Sequence, residues 1–591
     1  MGENNFRTFY ENQGPGIKEK CDIPDELIQH ETGITSGTEI VLIGPDSGKR
    51  KEKDEFFVPN VNNGIFRLHA FFHSIGINSV MLDCYIHNTE EIWEKIKEHK
   101  PAFIGFSPYY DTLKNDLQNI AKAGEVSPES IIIIGGFEAS LNPQWRSLGG
   151  LIDILIRGEG EFPMQEIFKE YKKFSEGKNT NKKEFMNYLK NISQIKDNPA
   201  ISILEQGKKA ELKFLPQRIS EEDYREINLN AFQKNIELSP IKKYWNLSRM
   251  MFKGKKDSYF RFVTSDQCPY KCIFCQSSIH QPRLLGKENS PLRYLTPENI
   301  KNIIVNISNK YPEMGIYIDD DNFFVNPLRA KETLNLIIEG KQNGEINKDL
   351  IFQCRTRTDN ISDEICSLLK KAGCIMISVG SESYSQKELD YMKKRTTPEQ
   401  NLKAVMTISK NELGVAEDFL LYTPVVTKDS FYENAKGICR NIKNFNTDGA
   451  VNLFLSPLPS TELWGDGSFE KVENLNYSNV IENSVIFRNL SNGYEYIGEE
   501  ILVPKLNIIL PHPELTLVKD NLMREISLNS IQFLSESIEK LKNISPNARI
   551  SRTFTCLAHL YTASCLLHDA TKEQRWEDLK KEIEDIIKGE E

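Results

Sequence analysis

The sequence predicts an α/β protein of three folded parts: an N-terminal doubly wound, Rossmann-like sheet, a partial (β/α)6 barrel and a mostly helical C-terminal domain. Short apolar, β-branched runs alternate with helix-period segments over residues 39–175 and again over 256–465, which predicts the first two parts. Beyond residue 466 the runs give way to apolar residues at helical intervals, which predicts the third. At 591 residues the chain exceeds what one hydrophobic core supports, so several domains are required.

Residues 1–38 are polar and turn-rich and read as an extension. The first set of strands is expected at 40–43, 79–83, 102–106, 130–134 and 152–156, with helices such as 89–99 and 113–123 between them. Strands apolar on both faces and separated by helices indicate a parallel sheet, whose ligands bind at the strands' carboxyl ends. Small residues stand at those ends: Gly44–Gly48 after the first strand, Ser107 after the third, Gly135 and Gly136 after the fourth, and Gly158, Glu159 and Gly160 after the fifth. Paired glycines let a ligand lie on bare main chain. Residues 176–255 are rich in Lys and Asn with weak periodicity and read as a linker with some local structure, long enough to swing one domain over the other. The barrel strands are expected at 260–263, 315–318, 351–354, 375–379, 418–422 and 451–455, with chemistry at their carboxyl ends. In the C-terminal part, 522–541 and 576–587 have the spacing of amphipathic helices.

Composition narrows the function. A 39% hydrophobic and 27% charged content is that of a soluble protein, and no stretch approaches the ~20 apolar residues of a membrane helix. The excess of 84 acidic over 74 basic residues speaks against a general affinity for nucleic acid. The basic runs 49–53 and 253–256 read as solvated loops. Met1-Gly2 resembles an acylation signal, but Phe6 stands where Ser or Thr is needed. The N-terminus lacks the apolar core of a secretory leader, and 11 scattered cysteines form no disulfide framework. A reducing cytoplasm, with no membrane and no nucleic-acid partner, is the expectation.

Cys268, Cys272 and Cys275 carry the chemistry. Their Cys-x3-Cys-x2-Cys spacing, with Phe274 before the last thiol and the β-type run 259–263 before the first, fits three corners of an iron–sulfur cluster and leaves one iron open. A zinc site completed by His280 is the alternative, although the run is more compact than the paired knuckles of closed zinc sites. The motif resembles the radical S-adenosylmethionine (SAM) enzymes. The upstream domain, through Gly135-Gly136-Phe137-Glu138 and Arg157-Gly158-Glu159-Gly160-Glu161, resembles the cobalamin-binding domain of the cobalamin-dependent radical SAM class. The resemblance spans about residues 39–465.

This resemblance implies a 4Fe-4S cluster on the three cysteines, SAM on the open iron, and cobalamin against Ser107, Gly135, Gly136, Gly158, Glu159 and Gly160. It also implies SAM contacts from Asp319 and Asp320, which lie where many members carry Gly-Gly-Glu, and from Arg355, Ser381 and Glu382. It implies an external electron donor such as a flavodoxin or ferredoxin and a small-molecule or peptide substrate. The activity it implies is methylation of an unactivated carbon; the alternatives are radical rearrangement, ring contraction or cyclisation, or an upstream domain that is only structural. The chain departs from the pattern in two places. The Asp-x-His-x-x-Gly loop of many cobalamin domains is replaced by Asp46-Ser47-Gly48, and Leu421–Pro424 lacks the adenine-contacting glycines. The second cluster of methylthiotransferases is excluded, because only Cys21 and Cys84 precede the motif. His73 and His87 read as packing histidines, and Cys556, His559, Cys565 and His568 as core residues of a helix.

Overall fold

The computed structural model describes residues 32–45, 63–83, 87, 89–109, 112–176, 181–215, 218–238, 259–288, 290–445, 447–454, 461–463, 469–473, 505–508, 515 and 550–588. The first sheet comprises β1 (Ile40–Ile43), β2 (Ser79–Leu82), β3 (Phe103–Phe106), β4 (Ile131–Ile134), β5 (Ile154–Ile156) and β6 (Ile201–Ile203), in the order β2-β1-β3-β4-β5-β6. All pairs are parallel except β5 with β6. The alternation of apolar residues explains the double winding. Ile40, Leu42, Phe103, Ile131, Ile133 and Ile154 enter one core, while Val41, Ile43, Ile104, Ile132, Ile134 and Leu155 enter the other. The chain reverses direction across the sheet between β1 and β3, the place where such sheets hold ligands.

The expected linker over 176–255 is corrected by its described part. Residues 182–189 are helical, β6 adds an antiparallel edge to the sheet, and helix Glu221–Leu238 bridges the two α/β units. Phe232 of that helix packs on Phe66 of the first unit and on Phe260 and Phe262 of the second, with ring centroids 5.4–5.9 Å apart. Exposed Glu222, Glu226 and Gln233 mask the few apolar residues, Tyr224, Ile227, Ala231 and Phe232, that do the packing. One continuous apolar core therefore runs from Ile40 to Ile316.

The second sheet is parallel and in chain order: β7 (Tyr259–Phe262), β8 (Gly315–Ile318), β9 (Phe352–Arg357), β10 (Cys374–Glu382), β11 (Gly414–Tyr422) and β12 (Thr447–Phe454). Intervening helices start at side-chain caps, including Thr296, Asn326, Ser362 and Thr397, each accepting a backbone N–H of the first turn. β9 and β10 run further than expected, through Arg355 and Arg357 and through Ser381 and Glu382. Helices Ile550–Thr571 and Gln574–Lys588 bury Leu557, Leu560, Trp576 and Leu579 in a core with Tyr422, Phe431 and Ile438 beside the last strands. There Cys556 is a core residue, and His559 Nε2 lies 3.1 Å from the Tyr422 hydroxyl. The expected helix at 522–541 falls outside the described residues. Among the described residues no helix is long and apolar enough to cross a membrane.

Candidate active site

The strand register sorts the barrel residues. Phe260, Phe262, Ile316, Ile318, Phe352, Cys354, Ile377 and Val379 point into the helix-covered core. Arg261, Tyr317, Arg355, Ser378 and Asp418 alternate with these and share the concave face. Arg261 forms a two-pronged ion pair with Asp319 at 2.8 Å, and its guanidinium lies 4.7 Å from the centre of the Tyr317 ring. The Nε of Arg355 is buried without a partner. Burial would lower the Arg355 pKa, yet Tyr317, Asp418, Asp319 and Asp321 around it hold it above its ordinary value, so it stays charged.

The cysteine segment leaves β7 through a turn pinned by Asp320. This fully buried carboxylate accepts from the Thr264 hydroxyl at 2.6 Å, the Ser265 N–H at 3.1 Å and the Ser265 hydroxyl at 2.8 Å, as well as from the Thr264 N–H, with Arg329 behind it at 3.4 Å. Asp320 thus occupies itself with the turn, whereas its neighbours face the site. Asp319 is in the lumen, and Asp321 accepts from Ser277, two residues past Cys275. Gln267, just before Cys268, holds a positive φ of 115°, rare outside glycine, and its Nε2 is buried without a partner. Beyond it, the Cys275 N–H donates to the Cys272 carbonyl at 3.1 Å. Tyr270 lies under the Arg357 guanidinium at 3.8 Å, and Arg357 also binds Asp359 and the Lys394 carbonyl.

Burial pushes the Cys268 thiol up to about 11 and the Cys275 thiol up to about 12. Cys272 is raised by burial as well, against the pull of Lys394 and Arg357. As free thiols all three are neutral; only a bound cation makes them thiolates. Lys394 and Arg357 supply positive charge beside Cys272. Lys394 is itself held by Glu382 at 2.8 Å, from a β-bulge that gives Glu382 a φ of 61°. Ser381 turns away, donating to Glu417 at 2.6 Å. Among the described residues no three His, Cys, Asp or Glu side chains are grouped around a single ion, and the His280 ring is stacked on Phe137 at 4.2 Å. A cubane takes each thiolate on a different iron and needs no such convergence.

At the carboxyl ends of the first sheet, Ser107, Gly135 and Gly136 meet. Gly136 has a φ of +91°, and a Cβ there would stand 2.4 Å from the Ser107 hydroxyl, so only glycine fits. Ser140 ties this turn to the next loop, donating to the Gly136 carbonyl at 2.6 Å and accepting from the Gly158 N–H at 2.9 Å. Gly158, with a φ of +78°, is closed in by Leu215, and Gly160 precedes helix Glu161–Ser175. Glu159 points the other way: it pairs with Arg293 and accepts the Ile219 N–H at 3.1 Å. Burial would raise its pKa, but Arg293, Arg67 and Arg218 outweigh this and hold it below the ordinary glutamate range. Stability contributed by Glu159 is therefore present above its unfolded pKa and lost as pH falls through the lower folded value. The stability gap between wild type and Glu159→Gln, measured by denaturant unfolding across pH, should close on the acid side of that range.

Residues 58–168 match the family model of the B12 binding domain, and residues 262–436 match that of the radical SAM superfamily. The chain joins a B12-binding domain to a radical SAM domain, the pairing of the cobalamin-dependent radical SAM enzymes. Its cofactors are accordingly a 4Fe-4S cluster, SAM and cobalamin. Among relatives, the enzyme is 24% identical to the "uncharacterized methyltransferase PH0819" of Pyrococcus horikoshii, over 63% of this chain and 71% of the relative. It is 23% identical to the anaerobic magnesium-protoporphyrin IX monomethyl ester cyclase of Rubrivivax gelatinosus, over 64% of this chain and 60% of the cyclase. Its fold matches the cobalamin-dependent SAM radical enzyme OxsB with aqua-cobalamin and SAM bound, at a TM-score of 0.53 and 15% identity over 93% of this chain and 79% of OxsB. The radical SAM methyltransferase TsrM of Kitasatospora setae with tryptophan and a SAM analogue bound gives a TM-score of 0.50 and 14% identity over 69% and 72% of the two chains.

The residues present suit these groups: one buried and two half-buried thiols beside two cations, an unpartnered guanidinium nitrogen in a polar lumen, and a glycine turn closed to any Cβ. The axial-ligand position Asp46–Gly48 lies outside the described residues. His69 and His73 are bonded to Ser79, and His87 to Asp83, away from the loops after β3, β4 and β5. Because the chain lacks the Asp-x-His-x-x-Gly ligand loop, bound cob(II)alamin is expected to show no hyperfine splitting from an axial protein nitrogen in its EPR spectrum. A histidine-type splitting would refute this.

Proposed function

We propose that this enzyme transfers a methyl group from SAM, by way of cobalamin, to an unactivated carbon of a small-molecule or peptide substrate. The observation that carries the reading is the stack of Phe137 on His280. It packs the glycine turn of the cobalamin domain directly against the helix that follows the cysteine segment, so both cofactor cradles border one space. Proximity of this kind removes the cost of bringing separate reactants together. The relatives described as methyltransferases support it. When bound, the cluster supplies the electron that cleaves SAM, and cobalamin supplies a methyl carrier.

The chain's own residues hold and shield these groups. Cys268, Cys272 and Cys275 ligate the cluster, and Arg357 and Lys394 balance its thiolate charge. Asp319 and Arg355, of opposite sign on the concave face, orient the amino and carboxylate groups of SAM. Gly135 and Gly136 offer bare main chain to cobalamin. Electrons enter from an external donor such as a flavodoxin or ferredoxin. The cyclase relative favours a second reading, cyclisation without net methyl transfer. By-products separate the two. Anaerobic turnover of reductant, SAM and a substrate pool should release S-adenosylhomocysteine together with 5′-deoxyadenosine, and the former only when cobalamin is loaded. Deoxyadenosine alone favours the cyclase-like reading.

A further inference from the structure

Arg293 precedes helix Pro297–Lys310 and is buried, 4% exposed. Its guanidinium reaches three other segments of the chain. Nε and Nη2 donate to Asp266 Oδ2 at 2.8 and 2.6 Å, Nη2 also donates to Glu159, and Nη1 donates to the Ile219 carbonyl at 3.0 Å. The charged plane lies 4.4 Å from the centre of the Tyr224 ring, on the helix that bridges the two units. Backbone bonds lock the same pair: the Arg293 N–H donates to Asp266 Oδ1 at 2.9 Å, and the Asp266 N–H donates to the Arg293 carbonyl at 3.2 Å. Arg218 adds a second guanidinium, donating to Asp266 and standing 3.7 Å from Glu159.

Two carboxylates, one from each cofactor cradle, thus share two buried guanidiniums. Asp266 lies two residues before Cys268, and Glu159 sits between Gly158 and Gly160. The apolar core common to both units drives their association, but hydrophobic burial is non-directional and tolerates small slides. A buried ion pair adds little net stability, because desolvation offsets the attraction. What a planar fork with fixed donor directions supplies is register. We propose that Arg293 is a positioning residue that ties the Glu159 loop of the cobalamin domain to the Asp266 turn of the cysteine segment and thereby sets the separation between the cluster and cobalamin.

The test is the magnetic dipolar interaction between cob(II)alamin and the reduced cluster in the doubly loaded holoenzyme, measured by EPR for wild type, Arg293→Met, Arg293→Lys and Glu159→Gln. Iron, sulfide and cobalt analysis fixes the occupancy of each sample. With both cofactors at wild-type occupancy, Arg293→Met should weaken or broaden the interaction while the spectra of singly loaded samples stay unchanged, and Arg293→Lys should restore part of it. Glu159→Gln leaves the Asp266 contacts intact and removes the carboxylate charge that faces Arg293 across the domains, so it carries the test if Arg293→Met fails to fold. An unchanged interaction in fully loaded Glu159→Gln and Arg293→Met overturns the proposal, as does selective loss of one cofactor, which would make Arg293 part of that cofactor's own site. No turnover is involved, so the outcome is independent of whether the reaction is a methylation.

Discussion

Alanine at any one of Cys268, Cys272 or Cys275 is expected to abolish the iron–sulfur charge-transfer absorbance and all SAM cleavage, while Cys354→Ala leaves both intact. The three thiols sit on one short segment fixed ahead of Cys268 by Asp320 on the Thr264–Ser265 side and between Cys272 and Cys275 by the Ile273 N–H on the Met392 carbonyl at 3.2 Å. A cluster held at two points on that segment has two irons open to water. Cys354, in contrast, lies on β9 with its side chain buried beside Cys366 and Cys374 in the apolar core, and its thiol is pushed well above its ordinary value by a hydrogen bond with the Cys374 thiol and by burial. It behaves as a small hydrophobe. Wild-type cluster content in all three single variants of the motif would refute the assignment.

Asp320→Ala is expected to destabilise the barrel by about 3–5 kcal/mol, the cost of leaving a buried charge unpaired. Here the stranded charge is Arg329, which donates to the Thr264 carbonyl and hydroxyl at 2.9 and 3.0 Å and would lose its only nearby carboxylate among the described ion pairs. The two N–H and two hydroxyl groups of Thr264 and Ser265 would lose their common acceptor as well. Equilibrium denaturant unfolding of apoprotein measures the effect without involving the cofactors. A change below about 1 kcal/mol, the ordinary scale of a single substitution, would mean that Asp320 is not the anchor of the turn.

Much of this was legible in the sequence. β-branched runs such as Ile131–Ile134 carry their parallel, doubly buried setting in their composition, and the cysteine spacing carries its chemistry. The carboxyl halves of β9 and β10 were harder to read, because lumen-facing Arg355 and Arg357 and the bulge at Glu382 interrupt the apolar alternation that marks a strand. Glu159, Asp320 and Ser381 have the residue types of ligand contacts, and one sequence cannot reveal that their partners, Arg293, Thr264 and Glu417, come from elsewhere in the chain. Asp321, bonded to Ser277, could not be told from its two acidic neighbours for the same reason: three consecutive carboxylates look alike until the fold sends them to three places. The bridging helix Glu221–Leu238 was hidden by its polarity, since a few aromatic residues suffice to seat it.

The most direct test of the central claim is anaerobic turnover of the fully reconstituted enzyme with methyl-deuterated SAM and extract of the source cells, read by mass spectrometry. The account predicts a product that carries the labelled methyl on carbon, formed only when cluster and cobalamin are both present. A cobalamin-dependent product that is rearranged or cyclised and carries no label would contradict it.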